Sequence, residues 1–137
     1  MQTSTMKTLV IASQKGGAGK TTIAAHIAVA AELAEAGPVV LIDTDPQGSL
    51  SDWWNTREAK TPALATATLA ELPAKLQALQ AAGVALAVID TPPAITEAIR
   101  DVVKQADFVL IPTRPSPHDL RAVGQTVDIA REAKKPF

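Results

Sequence analysis

Two hydrophobic patterns alternate along this chain. Short runs, apolar at consecutive positions, are separated by longer stretches whose apolar residues recur at helical spacing. The runs are Thr8–Ser13, Pro38–Asp43, Val84–Asp90 and Phe108–Pro112, with a weaker one at Leu64–Thr68. A strand apolar at successive positions is one covered on both faces. Between them the pattern predicts helices over about Lys20 to Ala36, Ser49 to Ala59, Leu69–Ala82, Ile95–Gln105 and Pro117–Ala133. In the third helix Leu69, Leu72, Leu76 and Leu79 carry the spacing, and Pro73 belongs in its first turn. Gly37-Pro38 and Gly83 read as helix stops, and Lys60-Thr-Pro62 breaks the second helix. Strands alternating with helices predict an α/β fold, a parallel sheet covered by helices on both faces. No internal repeat, low-complexity tract or linker interrupts the pattern, so residues 1–137 read as a single domain.

Composition narrows the function classes. A chain of 137 residues, 47% hydrophobic and 20% charged, has the make-up of one globular core. The net charge of -1 supplies no global basic field for nucleic acid. Cysteine is absent, which excludes a disulfide framework and thiolate metal sites. No apolar run approaches a membrane span, and Met1–Lys7 has no signal-peptide core, so the expected location is cytoplasmic.

The chemistry gathers after the apolar runs. Lys15-Gly16-Gly17-Ala18-Gly19-Lys20-Thr21-Thr22 follows the first run and opens the first helix. Glycines let backbone N–H groups converge on phosphate oxygens, and the helix N-terminus and Lys20 add positive charge. The Thr21 hydroxyl suits a Mg²⁺ ion. The ordinary phosphate-loop pattern has Gly where this chain has Gln14, and it does not specify a lysine at position 15. Asp43 and Asp45 follow the second run, and Asp90 follows the Val84 run. Parallel strands put these three points on one edge of the sheet, where ligands bind. Alone, Asp43-Thr-Asp45-Pro46 is also a turn signal, Asp90 also a helix cap, and Thr91-Pro92-Pro93 also a strand stop. Trp53 and Trp54 read as packing or surface residues, His26 as structural, and His118 has no assigned role. Arg131, Lys134 and Lys135 read as a solvated basic end.

Lysine on both sides of the glycines resembles the deviant Walker A motif of the ParA/MinD family of P-loop ATPases. Asp43-Thr44-Asp45-Pro46-Gln47 resembles the family's second motif. Leu86–Asp90 with Thr91-Pro92-Pro93 resembles its Walker B strand and switch loop. Phe108–Pro112 with Thr113-Arg114-Pro115-Ser116-Pro117 resembles the strand and Pro-rich loop of small ParA-like plasmid partition proteins. The resemblance implies ATP and Mg²⁺ as cofactors and a homodimer that closes around ATP. It implies Lys15 to Thr22 as nucleotide-binding residues, with Lys15 reaching the partner subunit's nucleotide. It implies Thr21, Asp43 and Asp90 at the metal, and Lys15, Lys20 and Asp45 in hydrolysis, Asp45 orienting the attacking water. Sequence alone does not separate Asp43 from Asp45. Lack of cysteine sets the chain apart from the family's iron–sulfur members.

The implied role is an ATP-driven switch in segregation of plasmid or chromosomal DNA, or in cargo positioning. A DNA-binding adaptor encoded nearby is the expected partner, with non-specific DNA contact and nucleoid association. A membrane-surface switch of the MinD kind needs a basic amphipathic helix absent from these residues, and a non-catalytic phosphate-loop fold is the third possibility. Family members normally continue past the Pro-rich loop, so the expectation is an incomplete fold with weak turnover.

Overall fold

The computed structural model describes residues 5–13, 19–94 and 96–137. Five strands, β1 (Lys7–Ile11), β2 (Val39–Asp43), β3 (Ala63–Thr66), β4 (Leu86–Asp90) and β5 (Phe108–Leu110), form one parallel sheet in the order β3-β2-β4-β1-β5. Five helices join or follow them: α1 (Lys20–Leu33), α2 (Ser49–Asn55), α3 (Leu72–Ala81), α4 (Glu97–Lys104) and α5 (Pro117–Glu132). The weak run at Leu64–Thr68 is a true edge strand, paired with β2 from Val40↔Ala63 to Asp43↔Thr66.

Two cores separate the layers, because side chains of a strand alternate between faces. Ile11, Val39, Leu41 and Val88 meet Ala24, Ala25 and Ala28 of α1 and Leu50 of α2 on one face. Val10, Val40, Ile42, Ala87, Ile89 and Val109 meet Leu72, Leu76, Ile99, Val102, Val103, Ile129 and Ala130 on the other. The three alanines give α1 a flat face that lets it lie close on the sheet.

Two of the expected stops behave differently. Gly83, at φ +90°, ends α3 by the left-handed cap, its N–H on the Gln80 carbonyl and that of Val84 on Leu79. At the end of α1 the left-handed residue is Glu35, φ 59°, and Gly37 has another reason. A Cβ on Gly37 would stand 3.3 Å from the Glu32 carboxylate, which accepts the Val39 N–H at 3.2 Å and ties α1 to β2. His26 is exposed on α1 and has no part in the core, contrary to the structural role expected of it. Trp53 and Trp54 do pack: both lie against the α1/α2 core, with Arg57 and Lys60 over their rings.

Candidate functional site

The strand order brings the predicted chemistry to adjacent strand ends. The chain leaves β1 toward β2 through α1, and leaves β4 the opposite way toward β5 through α4. The two connections run on opposite faces of the sheet, α1 on one and α4 on the other, which leaves a crevice at the C-terminal ends of these neighbouring strands. The register sets Ile11 beside Asp90 and Asp43 on the other side of Asp90.

Of the expected phosphate loop, Lys15, Gly16, Gly17 and Ala18 lie outside the described residues. Gly19 takes φ +90° immediately before α1, a conformation that would strain any side chain. Lys20 is the first residue of α1 and is buried. Thr21 donates its hydroxyl hydrogen to Asp90 Oδ2 at 2.9 Å, across 69 residues of chain. Thr22 is exposed.

Asp90 is 1% exposed, and its Oδ1 meets no hydrogen-bond partner among the described residues. Burial pushes its carboxyl up to about 6, against the Thr21 hydrogen bond and Lys20, with Asp43 and Asp45 adding repulsion. A buried, unpartnered carboxylate oxygen beside a hydroxyl is a donor set in want of a cation. Among the described residues no group of three or more His, Cys, Asp or Glu side chains could cage a metal. One or two carboxylates, a hydroxyl, waters and phosphate oxygens are instead the surroundings that Mg²⁺ accepts.

Asp43 and Asp45 part company in the structure. Asp43 is buried and both its oxygens are engaged. Oδ2 accepts from the Ser51 N–H at 3.0 Å and its hydroxyl at 2.7 Å, and Oδ1 accepts from the Asp45 N–H at 3.1 Å. Asp45 is half-buried and opens a turn. Its Oδ1 accepts from the Gln47 N–H at 2.9 Å, and its carbonyl accepts from Gly48. The turn reading of this segment is therefore correct as local geometry, and it leaves Asp45 at the mouth of the site. A cleft of about 670 Å³ opens beside it, bounded by Asp45, Pro46, Thr68, Leu69, Glu71 and Pro92.

Two residues without an individual role in the sequence reading stitch these ends together. Buried Thr91 donates to the Ile11 carbonyl at 2.7 Å, and Thr44 donates to the Asp90 carbonyl at 2.7 Å. The signal for them was the repeated Asp-Thr at two strand ends, Asp43-Thr44 and Asp90-Thr91. Ser51, which anchors α2 to Asp43, had no such signal.

Residues 9–132 match the CbiA family, the CobQ/CobB/MinD/ParA nucleotide binding domain. The chain belongs to this family. It is 38% identical over 131 residues to maintenance of carboxysome distribution protein A of Halothiobacillus neapolitanus, a match covering 93% of this chain and 60% of that protein. It is 33% identical over 133 residues to protein ParA of Rhizobium radiobacter, covering 95% of this chain and 59% of that one. Its fold matches a Cyanothece McdA–ATP complex at TM-score 0.76 and 26% identity, over 96% of this chain and 65% of that structure. The chain thus spans about three fifths of the length of these curated relatives. Membership in this ParA/MinD-type family accounts for the order of the motifs, and the α/β parallel sheet is the one expected.

Proposed function

We propose that this chain carries the phosphate and metal site of an ATP-hydrolysing switch that dimerises around Mg²⁺·ATP and positions DNA or a large cargo. The observation that carries the reading is the Thr21–Asp90 contact, with a buried Asp90 oxygen unpartnered among the described residues, directly after the lysine-flanked glycine segment in the sequence. Mg²⁺ held by these residues would supply charge neutralisation for the phosphates. Thr21 would hold it directly, and Asp90 through its water shell. Asp43 also faces that shell, but its bonds to Ser51 and Asp45 make it chiefly the brace of the 43–51 segment. Lys20 and the backbone of Lys15 to Thr22 would hold the phosphates. Asp45, half-exposed on a braced turn, would orient the attacking water. Lys15 would reach the nucleotide of the partner subunit.

The relatives include carboxysome-distribution and ParA proteins, which supports a partition or positioning role worked through an adaptor protein and non-specific DNA. Among the described residues no helix is long and apolar enough to cross a membrane.

Asp45→Ala is expected to bind Mg²⁺·ATP as the parent does and to hydrolyse it about a hundredfold more slowly. Water positioning matters to the transition state and little to ground-state binding. Single-turnover hydrolysis beside calorimetric affinity measures both. Normal turnover in Asp45→Ala with a loss in Asp43→Ala would reverse the two assignments.

Lys15→Ala is expected to keep nucleotide binding and lose ATP-dependent dimerisation and turnover. Mixing Lys15→Ala with Asp45→Ala tests the trans arrangement, since a mixed dimer can assemble one intact site. Absence of recovered hydrolysis, with mixed dimers seen by native mass spectrometry, would count against it.

A further inference from the structure

The Pro-rich segment after β5 holds one cation to which neither the fold nor the phosphate chemistry gives a task. Arg114 is 58% exposed, yet its Nε donates at 2.7 Å to Asp119, whose side chain is only 4% exposed. Asp119 lies in the first turn of α5, where its N–H is taken by the capping Ser116 Oγ at 3.1 Å. The Arg114 carbonyl accepts from the Ser116 N–H at 2.9 Å and from the Thr113 hydroxyl at 3.1 Å. Pro112, Pro115 and Pro117 restrict the backbone on either side. Holding a long surface arginine by a buried carboxylate on a stiff loop fixes one edge of its guanidinium. Among the described residues its two terminal nitrogens meet no acceptor. Surface arginines otherwise keep their rotamer freedom, because an exposed ion pair contributes little.

The position of this loop follows from the sheet. β5 pairs with β1, Leu110 lies beside Ile11, and the Leu110 carbonyl accepts the Ala12 N–H at 3.0 Å. The segment after β5 therefore flanks the segment after β1 on the side away from β4. Asp90 and Asp43 lie on the other side of β1, at the ends of β4 and β2. Thr21 and Asp90, the residues that would hold Mg²⁺ and with it the terminal phosphates, meet on the β4 side of β1. The β5 side of β1 is then the side on which the α-phosphate and nucleoside would lie.

We infer that Arg114, oriented by Asp119, is a nucleotide-binding cation at the α-phosphate and ribose end of the site. This rests on the nucleotide-binding reading above. Its guanidinium contributes to ATP and ADP alike, since the γ-phosphate lies at the far end. Asp119 is a positioning residue, acting through the Nε it holds.

The test is calorimetry of Mg²⁺·ATP and Mg²⁺·ADP with the parent, Arg114→Gln, Arg114→Lys, Asp119→Asn and Lys20→Ala, at low and high salt. Arg114→Gln is expected to weaken both nucleotides equally, by about tenfold, the scale of one charged hydrogen bond. Its affinity should also fall less steeply with salt, because an ionic contact has been removed. Arg114→Lys should recover part of the loss, and Asp119→Asn should lose affinity without flattening the salt dependence as far. Parental affinity in Arg114→Gln with lowered thermal stability would make Arg114 a loop brace only and overturn the inference. A loss confined to ATP would also overturn it, placing Arg114 at the γ end. If the parent binds and Lys20→Ala does not, the nucleotide reading stands and the Arg114 result judges the inference alone. If the parent binds neither nucleotide, both fall.

Discussion

Replacing Asp90 by Asn is expected to stabilise the nucleotide-free protein at neutral pH while weakening its response to Mg²⁺·ATP. Asp90 sits on a strand between two others, 1% exposed, with an unpartnered oxygen and two more carboxylates nearby. Its folded value of about 6 lies above the unfolded value near 4. The native state therefore holds this proton more tightly than the unfolded chain does. The cost to folding is absent below about pH 4, grows as pH rises between about 4 and 6, and is complete above that. Its size is on the order of 3 kcal/mol, and an uncharged Asn avoids it while still accepting the Thr21 hydroxyl. Denaturant melts at pH 7.5 and pH 5 without divalent ions measure this. The parent should gain relative stability on acidification, and Asp90→Asn should show less of that gain and stand above the parent at pH 7.5. Adding Mg²⁺·ATP should raise the parent's melting temperature by more than the variant's. An Asn variant less stable than the parent at pH 7.5 without metal would show that burial of this charge is not the strain described.

Lys20→Ala is expected to reduce the affinity for both ATP and ADP by about a hundredfold, the scale of removing one partner from a buried charge contact. Lys20 is 7% exposed and opens α1 directly after the left-handed Gly19. The loss should exceed that of Arg114→Gln, because Lys20 would meet the phosphates from a buried position and Arg114 from an exposed one. Calorimetry with ATP and ADP reads the effect, and circular dichroism verifies that the variant is folded. Equal affinity in parent and variant would remove the phosphate assignment of the loop at residues 15–22.

Much of this architecture was legible because its signals are local. Runs apolar at successive positions mark strands covered on both sides. Gly83 stops α3 through a backbone conformation that the residue type alone announces. Gly37 shows the limit of that logic. It looks like the stop of α1, but the left-handed residue is Glu35, and Gly37 is there because the Glu32 carboxylate comes back against it. His26 shows the same limit from the other side, since helical position alone did not reveal which face meets solvent.

At the site, residue types and spacing were enough to single out Lys20, Thr21, Asp43, Asp45 and Asp90. They could not say that Asp90 takes the Thr21 hydroxyl, or that Asp43 spends both oxygens on Ser51 and the Asp45 N–H. Nor could they reveal Thr44 and Thr91 as the pins between three strand ends, or that Asp119 holds Arg114.

By itself, then, the sequence determined the elements and the parallel α/β class, and named the residues of the proposed phosphate site, since periodicity, turn residues and motif spacing act within a few residues. Only the tertiary structure decided the strand order β3-β2-β4-β1-β5, and with it the crevice between β4 and β1 and the different hydrogen-bond surroundings of Asp43 and Asp45. Those depend on pairing between segments tens of residues apart, and on which carboxylate burial leaves without a partner.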